Sequence, residues 1–146
     1  MVPAELSEHL ASHFDVPVGF REYQNRRPYS CGIAAVDELL GGGFPRGAVS
    51  EISGNQSSNR TALTVSILAH AFDAGECCAW IDAGGTFDPE SAAEAGLCLE
   101  QLLWINCQGQ AEAALKAPDL LRHGGGFGLI VFDLADVAEA SFAGSR

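Results

Sequence analysis

Apolar and polar residues alternate along the chain in blocks that predict strands followed by helices. Four apolar runs have the length of buried strands, and they lie near residues 48–53, 77–82, 102–107 and 128–132. Two longer segments carry apolar residues at helical spacing, and they lie near residues 61–74 and 109–122. Strands that alternate with helices favour a parallel sheet covered by helices on both faces. The pattern therefore predicts an α/β fold.

Two shorter helices are also predicted. The stretch "GIAAVDELLGGG" favours a helix that ends at a run of glycines. The stretch "DPESAAEAG" favours a helix with Asp88 as its N-cap and Pro89 in its first turn. We expect Pro118 to interrupt the helix near 109–122, because proline lacks the backbone N–H that the helical hydrogen bond requires.

The N-terminal part of the chain has a different character from the rest. Residues 4–14 predict a short amphipathic helix, and residues 15–30 mix proline, glycine and charge in the manner of a connecting arm. We therefore divide the chain into an N-terminal helix and arm, residues 1–29, and a core, residues 30–146.

Composition narrows the class of protein. The chain has 146 residues, of which 47% are hydrophobic, enough for one globular core. No apolar run is long enough to span a bilayer, and the first residues do not have the pattern of a secretory signal. The five cysteines show no C-x-x-C spacing, so we interpret them as small buried residues of a protein in the reducing cytoplasm.

The charge balance argues against strong nucleic-acid binding by this chain alone. The formal net charge is −11, and such a chain repels phosphates unless its few cations cluster. The cluster of Arg21, Arg26 and Arg27 is interpreted as part of a solvated linker, with a contact to DNA or a partner as the alternative. His9 and His13 have the spacing of metal ligands but lack a third, which favours surface histidines.

The segment "EISGNQSSNRTALTV" has the outline of a phosphate-binding loop, with a strand, a short polar loop and then a helix. The motif requires G-x-x-x-x-G-K-[ST], and here Asn59 and Arg60 replace its second glycine and its lysine. The candidate nucleotide-binding residues are Gly54, Ser57, Ser58, Asn59, Arg60 and Thr61.

Three separate segments resemble the RecA/RadA/KaiC superfamily, and bacterial RecA in particular. They are "SCGIAAVDELLGGGFPRGAVSEISG", "WIDAGGTFDP" and "QAEAALKAPDLLRHGGGFGLIVFD". The resemblance implies a three-layer P-loop NTPase core of the RecA type, truncated after the Walker B strand. It also implies Thr61 and Asp133 as Mg²⁺ ligands, provided that a nucleotide binds.

The departures from the family pattern fall on groups that catalysis requires. Arg60 is bulkier than the lysine of the family and is not equivalent to it, and Asn59 brings a side chain into the path of the phosphate. The family's water-activating glutamate falls at Gly84, which has no side chain. We therefore expect no ATP hydrolysis, and either a vestigial loop or a weak site for ATP and Mg²⁺.

The resemblance implies two kinds of function. The first is that of a non-catalytic accessory protein similar to ImuA in bacterial DNA repair and SOS damage tolerance. It would act in translesion synthesis through contacts with RecA or an error-prone Y-family polymerase. The alternative is a weak ATP-binding, DNA-dependent ATPase of the RecA class. A signalling ATPase of the KaiC or RadA type is a further possibility, although "IDAGGTFDP" favours RecA.

Length and the arm raise two further expectations. The chain ends thirteen residues after Asp133, where the family continues, so we expect a fragment of a longer protein rather than a sheet that closes around a missing strand.

Apolar residues recur at roughly alternate positions within residues 15–30, a pattern that suits a strand added to an exposed sheet edge. We expect this arm to be the candidate for self-association or partner docking, with folding back onto its own core as the alternative.

Overall fold

The computed structural model describes residues 27–55, 57–134 and 137 of the chain. The helices within these residues are α1 Ala34–Leu39, α2 Arg60–Asp73, α3 Pro89–Glu94 and α4 Ala111–Gly124. The strands are β1 Cys78–Asp82, β2 Leu102–Asn106 and β3 Leu129–Asp133, and a short 3-10 turn, Leu99–Gln101, precedes β2. The predicted helix at residues 4–14 and most of the predicted arm lie outside the described residues.

The three strands form one parallel sheet in the order β2-β1-β3. The central strand, β1, is buried along its whole length, because it has a strand on each side and helices on each face. The register aligns Trp80 with Trp104 on one side and with Val131 on the other. The predicted parallel α/β sheet and three of its four strands are confirmed.

Two apolar layers cover the two faces of the sheet. On one face, α2 contributes Leu68 and Ala71 to a core that includes Trp80. On the other face, α4 contributes Ala114 and Ala117, which pack with Ile81. Neighbouring residues of β1 therefore enter opposite cores, as the period of a strand requires. This arrangement is the predicted three-layer core.

The strand predicted near residues 48–53 is wrong. The structure describes these residues and assigns them no strand pairing. Val49 is fully exposed, while Ile52 still packs against the core that contains Trp80. The physical reason is the absence of a partner, because a strand exists only through ladder hydrogen bonds to a neighbour. Within the described part of the chain, β3 has no such neighbour on its side away from β1.

The interruption predicted at Pro118 is also wrong, since α4 runs through this residue to Gly124. Proline removes one hydrogen bond to the carbonyl four residues earlier, a local loss. Ala114 and Ala117 are buried against the sheet, and their packing holds the helix together on both sides of that loss.

The predicted start of α3 is confirmed. Pro89 opens the helix, and the Asp88 carboxylate accepts a hydrogen bond from the Glu90 backbone N–H at 3.1 Å. In the described residues, no helix has the length and apolar character needed to cross a bilayer.

Asp82, the last residue of β1, is a fully buried carboxylate that shapes the next loop. One of its oxygens, Oδ1, accepts hydrogen bonds from the backbone N–H groups of Gly85 and Thr86, at 2.7 and 3.0 Å. The other, Oδ2, accepts from the Phe87 backbone N–H at 3.1 Å and from Trp104 Nε1 at 3.4 Å. The carboxylate therefore folds residues 83–87 into a turn over the end of the sheet and ties that turn to β2.

We expect Asp82→Asn to lower the free energy of unfolding by about 3 kcal/mol, because an amide nitrogen would face donors and leave either the buried Phe87 N–H or the N–H groups of Gly85 and Thr86 without an acceptor. Urea denaturation followed by circular dichroism measures the change. Asp119→Asn is the matched control, since Asp119 lies on the exposed side of α4 and pairs there with Arg122. The control should change stability by no more than about 0.5 kcal/mol, and an equal effect of both substitutions would contradict the role of Asp82.

Candidate functional site

The loop before α2 ends on a residue with a left-handed backbone conformation. Asn59 is the N-cap of α2 and has the left-handed conformation, with φ 57° and ψ 27°. Glycine adopts this conformation most easily, and asparagine is among the few other residues that tolerate it. Asn59 therefore occupies the position of the motif's glycine without breaking the turn into the helix, although its side chain remains there.

The middle of the loop is closed by its own hydrogen bonds. The Ser58 backbone N–H and hydroxyl both donate to the Asn55 carbonyl oxygen, at 3.0 and 2.7 Å. The Ser58 side chain lies so close to Gly54 that a Cβ on Gly54 would collide with it. The loop thus needs glycine at position 54 for a contact within the loop itself, and the Ser58 hydroxyl is turned toward the loop backbone. Ser57 is exposed.

Arg60 and Thr61 begin α2 and stand at the lysine and threonine positions of the motif. The Arg60 side chain is partly buried and runs back across the loop, so that its Cδ lies 3.8 Å from the position of a Cβ on Gly54. Thr61 is exposed. The Asn59 side chain accepts no hydrogen bond from the first N–H groups of α2, so it does not compete with an anion for these groups. Backbone N–H groups at such a position are the groups that hold anions at helix N-termini.

Asp133 lies on the same face of the sheet as α2. It ends β3, directly beside Asp82 in the register, and Val131 two residues earlier packs in the core that α2 covers. Because alternate residues of a strand point to the same face, the Asp133 side chain is directed toward α2. The Asp133 carbonyl oxygen also accepts a hydrogen bond from the Ala83 N–H at 3.0 Å. The sheet therefore brings Asp133 to the face that carries the loop.

These residues fit an Mg²⁺ nucleotide only in part. A threonine hydroxyl and an aspartate carboxylate are hard oxygen ligands, and Mg²⁺ in nucleotide sites needs few protein ligands because phosphate and water complete its shell. Thr61 and Asp133 would supply these two oxygens, and the N–H groups at the start of α2 would meet the phosphates. The part of the chain that the structure describes contains no cluster of three histidine, cysteine or acidic side chains that could hold a metal by itself.

The position of the catalytic base is the part that does not fit. Gly84 lies in the turn that Asp82 holds, and residues 83–87 contain no ionisable side chain. Asp88 follows, but the Ser91 hydroxyl donates to its carboxylate at 2.5 Å, and this hydrogen bond lowers the pKa of Asp88. A carboxylate with a lowered pKa is a weaker base. Asp82 itself already accepts four hydrogen bonds.

The sequence did not identify the residues that build this edge of the sheet. Asp82 was available as a signal, because a charged residue in the buried run "CCAWIDA" requires partners. Asn106, which ends the neighbouring strand β2, is a second polar residue at this edge: its side-chain oxygen accepts from the Gln108 N–H at 2.9 Å. The next turn is tied to the first, since Gly109 N–H donates to the Ala83 carbonyl oxygen at 2.8 Å. Polar residues at the ends of parallel strands are the general signal for such an edge.

The family model and the individual relatives both show that this chain is similar to RecA. The model of the RecA N-terminal domain family matches residues 15–144. RecA of Ectopseudomonas oleovorans is 41% identical over 105 residues, which cover 71% of this chain and 30% of that protein. RecA of Rickettsia massiliae (strain Mtu5) is 36% identical over 131 residues, which cover 89% of this chain and 38% of that protein. The chain thus spans about a third of the length of these relatives.

A solved structure shares the fold. The crystal structure of the RadB recombinase superposes with a TM-score of 0.58 at 23% identity, over 81% of this chain and 57% of that one. The family model covers nearly the whole chain, and the resemblance read from three separate segments is thereby confirmed. The chain belongs to the family of the RecA N-terminal domain.

Proposed function

We propose that this chain is a non-catalytic, RecA-type accessory module of bacterial DNA repair that acts through contacts with other proteins. The observation that carries the proposal is the turn at residues 83–87, which Asp82 holds in place and which presents Gly84 where the family has its water-activating glutamate. A positioned base contributes about 10²- to 10⁴-fold to rate, and no other acid of this turn replaces it.

Two changes in the loop support the same conclusion. Arg60 carries its charge on a planar, longer side chain that lies back over Gly54, whereas the family's lysine is a compact point charge. Asn59 keeps the backbone conformation but places a side chain beside the helix N-terminus. Three catalytic features are missing from one site. This favours a protein that does not hydrolyse ATP and that acts through contacts on its surface.

A second candidate function is weak binding of ATP and Mg²⁺ by a DNA-dependent ATPase of the RecA class. The left-handed backbone at Asn59, together with Thr61 and Asp133 on one side of the sheet, favours it. Bound nucleotide would then serve as a structural or signalling ligand, because binding needs only the groups that remain, while hydrolysis needs the base at position 84.

The proposed partners are RecA or an error-prone Y-family polymerase, as in proteins similar to ImuA. A strand edge that can receive a partner supports this proposal. Within the described residues, β2 pairs only with β1, and its Leu103 and Trp104 are 43% and 40% exposed. Exposed aromatic and aliphatic residues on an open edge suit addition of a strand. Residues 15–26 of the arm are the proposed segment for such a contact with a partner or a second copy, because residues 27–30 already pack on this chain's own core.

We expect no ATP turnover above background, with or without single-stranded DNA, because no base is present at position 84. Phosphate release under steady-state conditions at saturating ATP and Mg²⁺ is the measurement. Asp133→Asn is the control that separates this site from a contaminating ATPase. Turnover that Asp133→Asn abolishes would contradict the proposal.

Restoration of the motif in two steps separates binding from hydrolysis. The double substitution Asn59→Gly and Arg60→Lys should tighten binding of ATP and Mg²⁺, followed by isothermal titration calorimetry, without raising turnover. Addition of Gly84→Glu to this background should raise phosphate release by about 10²-fold or more, the usual contribution of a positioned base. Gly84 does not take the left-handed conformation that Gly85 takes, so its backbone conformation does not require glycine. Equal turnover in the double and triple variants would show that Gly84 is not the missing position.

Association through the arm is tested in the full-length chain. Phe20→Ala should weaken self-association or capture of RecA or the polymerase, because it removes the largest apolar side chain of the arm. Light scattering and pull-down with the purified partner are the measurements, and Gln24→Ala in the same arm is the control. Unchanged mass and unchanged capture in Phe20→Ala would exclude the arm as the docking element.

A further inference from the structure

A short segment at the start of the described chain, residues 27–31, is fastened to the core along its whole length. We call it the strap. The Tyr29 N–H donates to the Phe44 carbonyl oxygen at 2.8 Å, and the Phe44 N–H donates back to the Tyr29 oxygen at 2.7 Å. At the end of the strap, the Ser66 hydroxyl donates to the Cys31 carbonyl oxygen at 2.5 Å. The strap is therefore joined both to the turn at Phe44 and to helix α2.

A carboxylate fixes the end of the strap from another direction. Asp37 of α1 accepts hydrogen bonds from the Cys31 N–H at 2.9 Å and from the Ser30 hydroxyl at 2.6 Å. These two bonds hold the pKa of Asp37 below its ordinary value, with the Cys31 N–H as the largest cause. Cys31 itself is completely buried. The end of the strap is thus part of the core.

The beginning of the strap depends on one side chain, Arg46. Its Nε donates to the Arg27 carbonyl oxygen at 2.8 Å. Its Nη1 donates to the Tyr29 hydroxyl at 2.7 Å and to Glu76 Oε1 at 2.6 Å, and its guanidinium carbon lies 3.7 Å from the centre of the Tyr29 ring. The planar group of arginine can serve three partners at once, which the ammonium of lysine cannot do in this geometry.

The Arg46–Glu76 ion pair is the most shielded one in the described part of the chain. The side chains of Arg46 and Glu76 are 16% and 28% exposed, whereas both members of the Lys116–Glu112 pair are about 70% exposed. Partial burial strengthens such an interaction because water and salt screen it less. Gly128 lies against both Glu76 and the Tyr29 hydroxyl, and a Cβ there would collide with the Glu76 carboxylate.

We infer that Arg46 is a latch that holds the strap to the amino ends of the strands and fixes the position of Arg27, where the strap continues into residues 15–26 of the arm. Glu76 stands just before β1 and Gly128 just before β3, so the latch lies at the amino-end edge of the sheet. Thr61, Asp133 and the turn after Asp82 lie at the opposite, carboxyl-end edge. The first residues of the strap, 27–29, can then leave the core without disturbing the nucleotide-type loop, because Cys31 at the far end stays buried and bonded to α2.

The latch is tested by hydrogen exchange in the full-length chain. Arg46→Ala should raise exchange of the Tyr29 and Phe44 amides by about tenfold to a hundredfold, the range for loss of charge-assisted hydrogen bonds. In the unaltered chain, the Ala79 and Ile81 amides of β1 should exchange more slowly than those of the strap, because β1 exposes its amides only when the whole fold opens. Arg46→Lys should give an intermediate effect. Lys116→Ala, which removes an exposed ion pair, is the matched control and should change none of these amides.

A second variant opens the strap with Arg46 intact. Gly43 has φ 128°, and a Cβ there would lie 2.6 Å from the Tyr29 carbonyl carbon, so Gly43→Ala should also raise exchange at Tyr29. Unchanged exchange at Tyr29 in Arg46→Ala, or equal exchange of the Tyr29 and Ile81 amides in the unaltered chain, would overturn the inference. The consequence for the arm rests on the proposed function, and Phe20→Ala separates the two, because it should leave exchange at Tyr29 unchanged while association is lost.

Discussion

A single buried carboxylate, that of Asp82, determines how the carboxyl-end edge of the sheet, which carries the candidate site, is built. A buried charge is costly unless donors surround it, and here three backbone N–H groups and one indole N–H do so. The turn that supplies the three N–H groups cannot move away without exposing the carboxylate or leaving it unpaired. Asp82 therefore fixes residues 83–87 over the central strand, and with them Gly84, the position on which the proposed loss of catalysis depends.

The same sheet has two edges with different contents. At the carboxyl ends of the strands lie Asp82 and the two candidate Mg²⁺ ligands, Asp133 and, on the α2 side, Thr61. At the amino ends lie Arg46 and Glu76, which fasten the strap to the core. On the carboxyl-end side, Asn59 keeps a left-handed backbone conformation, but the lysine and glutamate of the family are replaced by Arg60 and Gly84. On the amino-end side, Arg46 forms hydrogen bonds with three other residues. A protein that acts by contact needs the second property more than the first, because contact depends on a defined surface and not on proton transfer.

The sequence was sufficient for those parts of the fold that depend on apolar pattern alone. β1 and the helices α2 and α4 were predicted correctly, since each buries a continuous apolar run or face. The prediction of a strand near 48–53 was wrong because the apolar pattern of one segment does not reveal whether a neighbouring strand is present to pair with it. The predicted interruption at Pro118 was wrong because the packing of Ala114 and Ala117 on the sheet outweighs the loss of one helical hydrogen bond.

The candidate site was predictable to a similar degree. The loop was found because Gly54, Asn59 and Thr61 keep the spacing of a motif whose backbone geometry Asn59 can reproduce. Asp82 was missed, since its importance comes from N–H groups three to five residues later that a strand pattern does not display. The latch was missed for a related reason: Arg46 and Glu76 are 30 residues apart and meet only when the amino ends of the strands are assembled.

The central claim is that the turn at residues 83–87 is well formed but carries no catalytic group at Gly84. A single-turnover experiment tests this claim most directly. Protein in excess over labelled ATP and Mg²⁺ is incubated for hours and quenched, so that slow product release cannot conceal the chemical step. We expect all label to remain in ATP, at the rate of the protein-free control. A burst of labelled phosphate that is stoichiometric with bound ATP, and absent in Asp133→Asn, would contradict the claim.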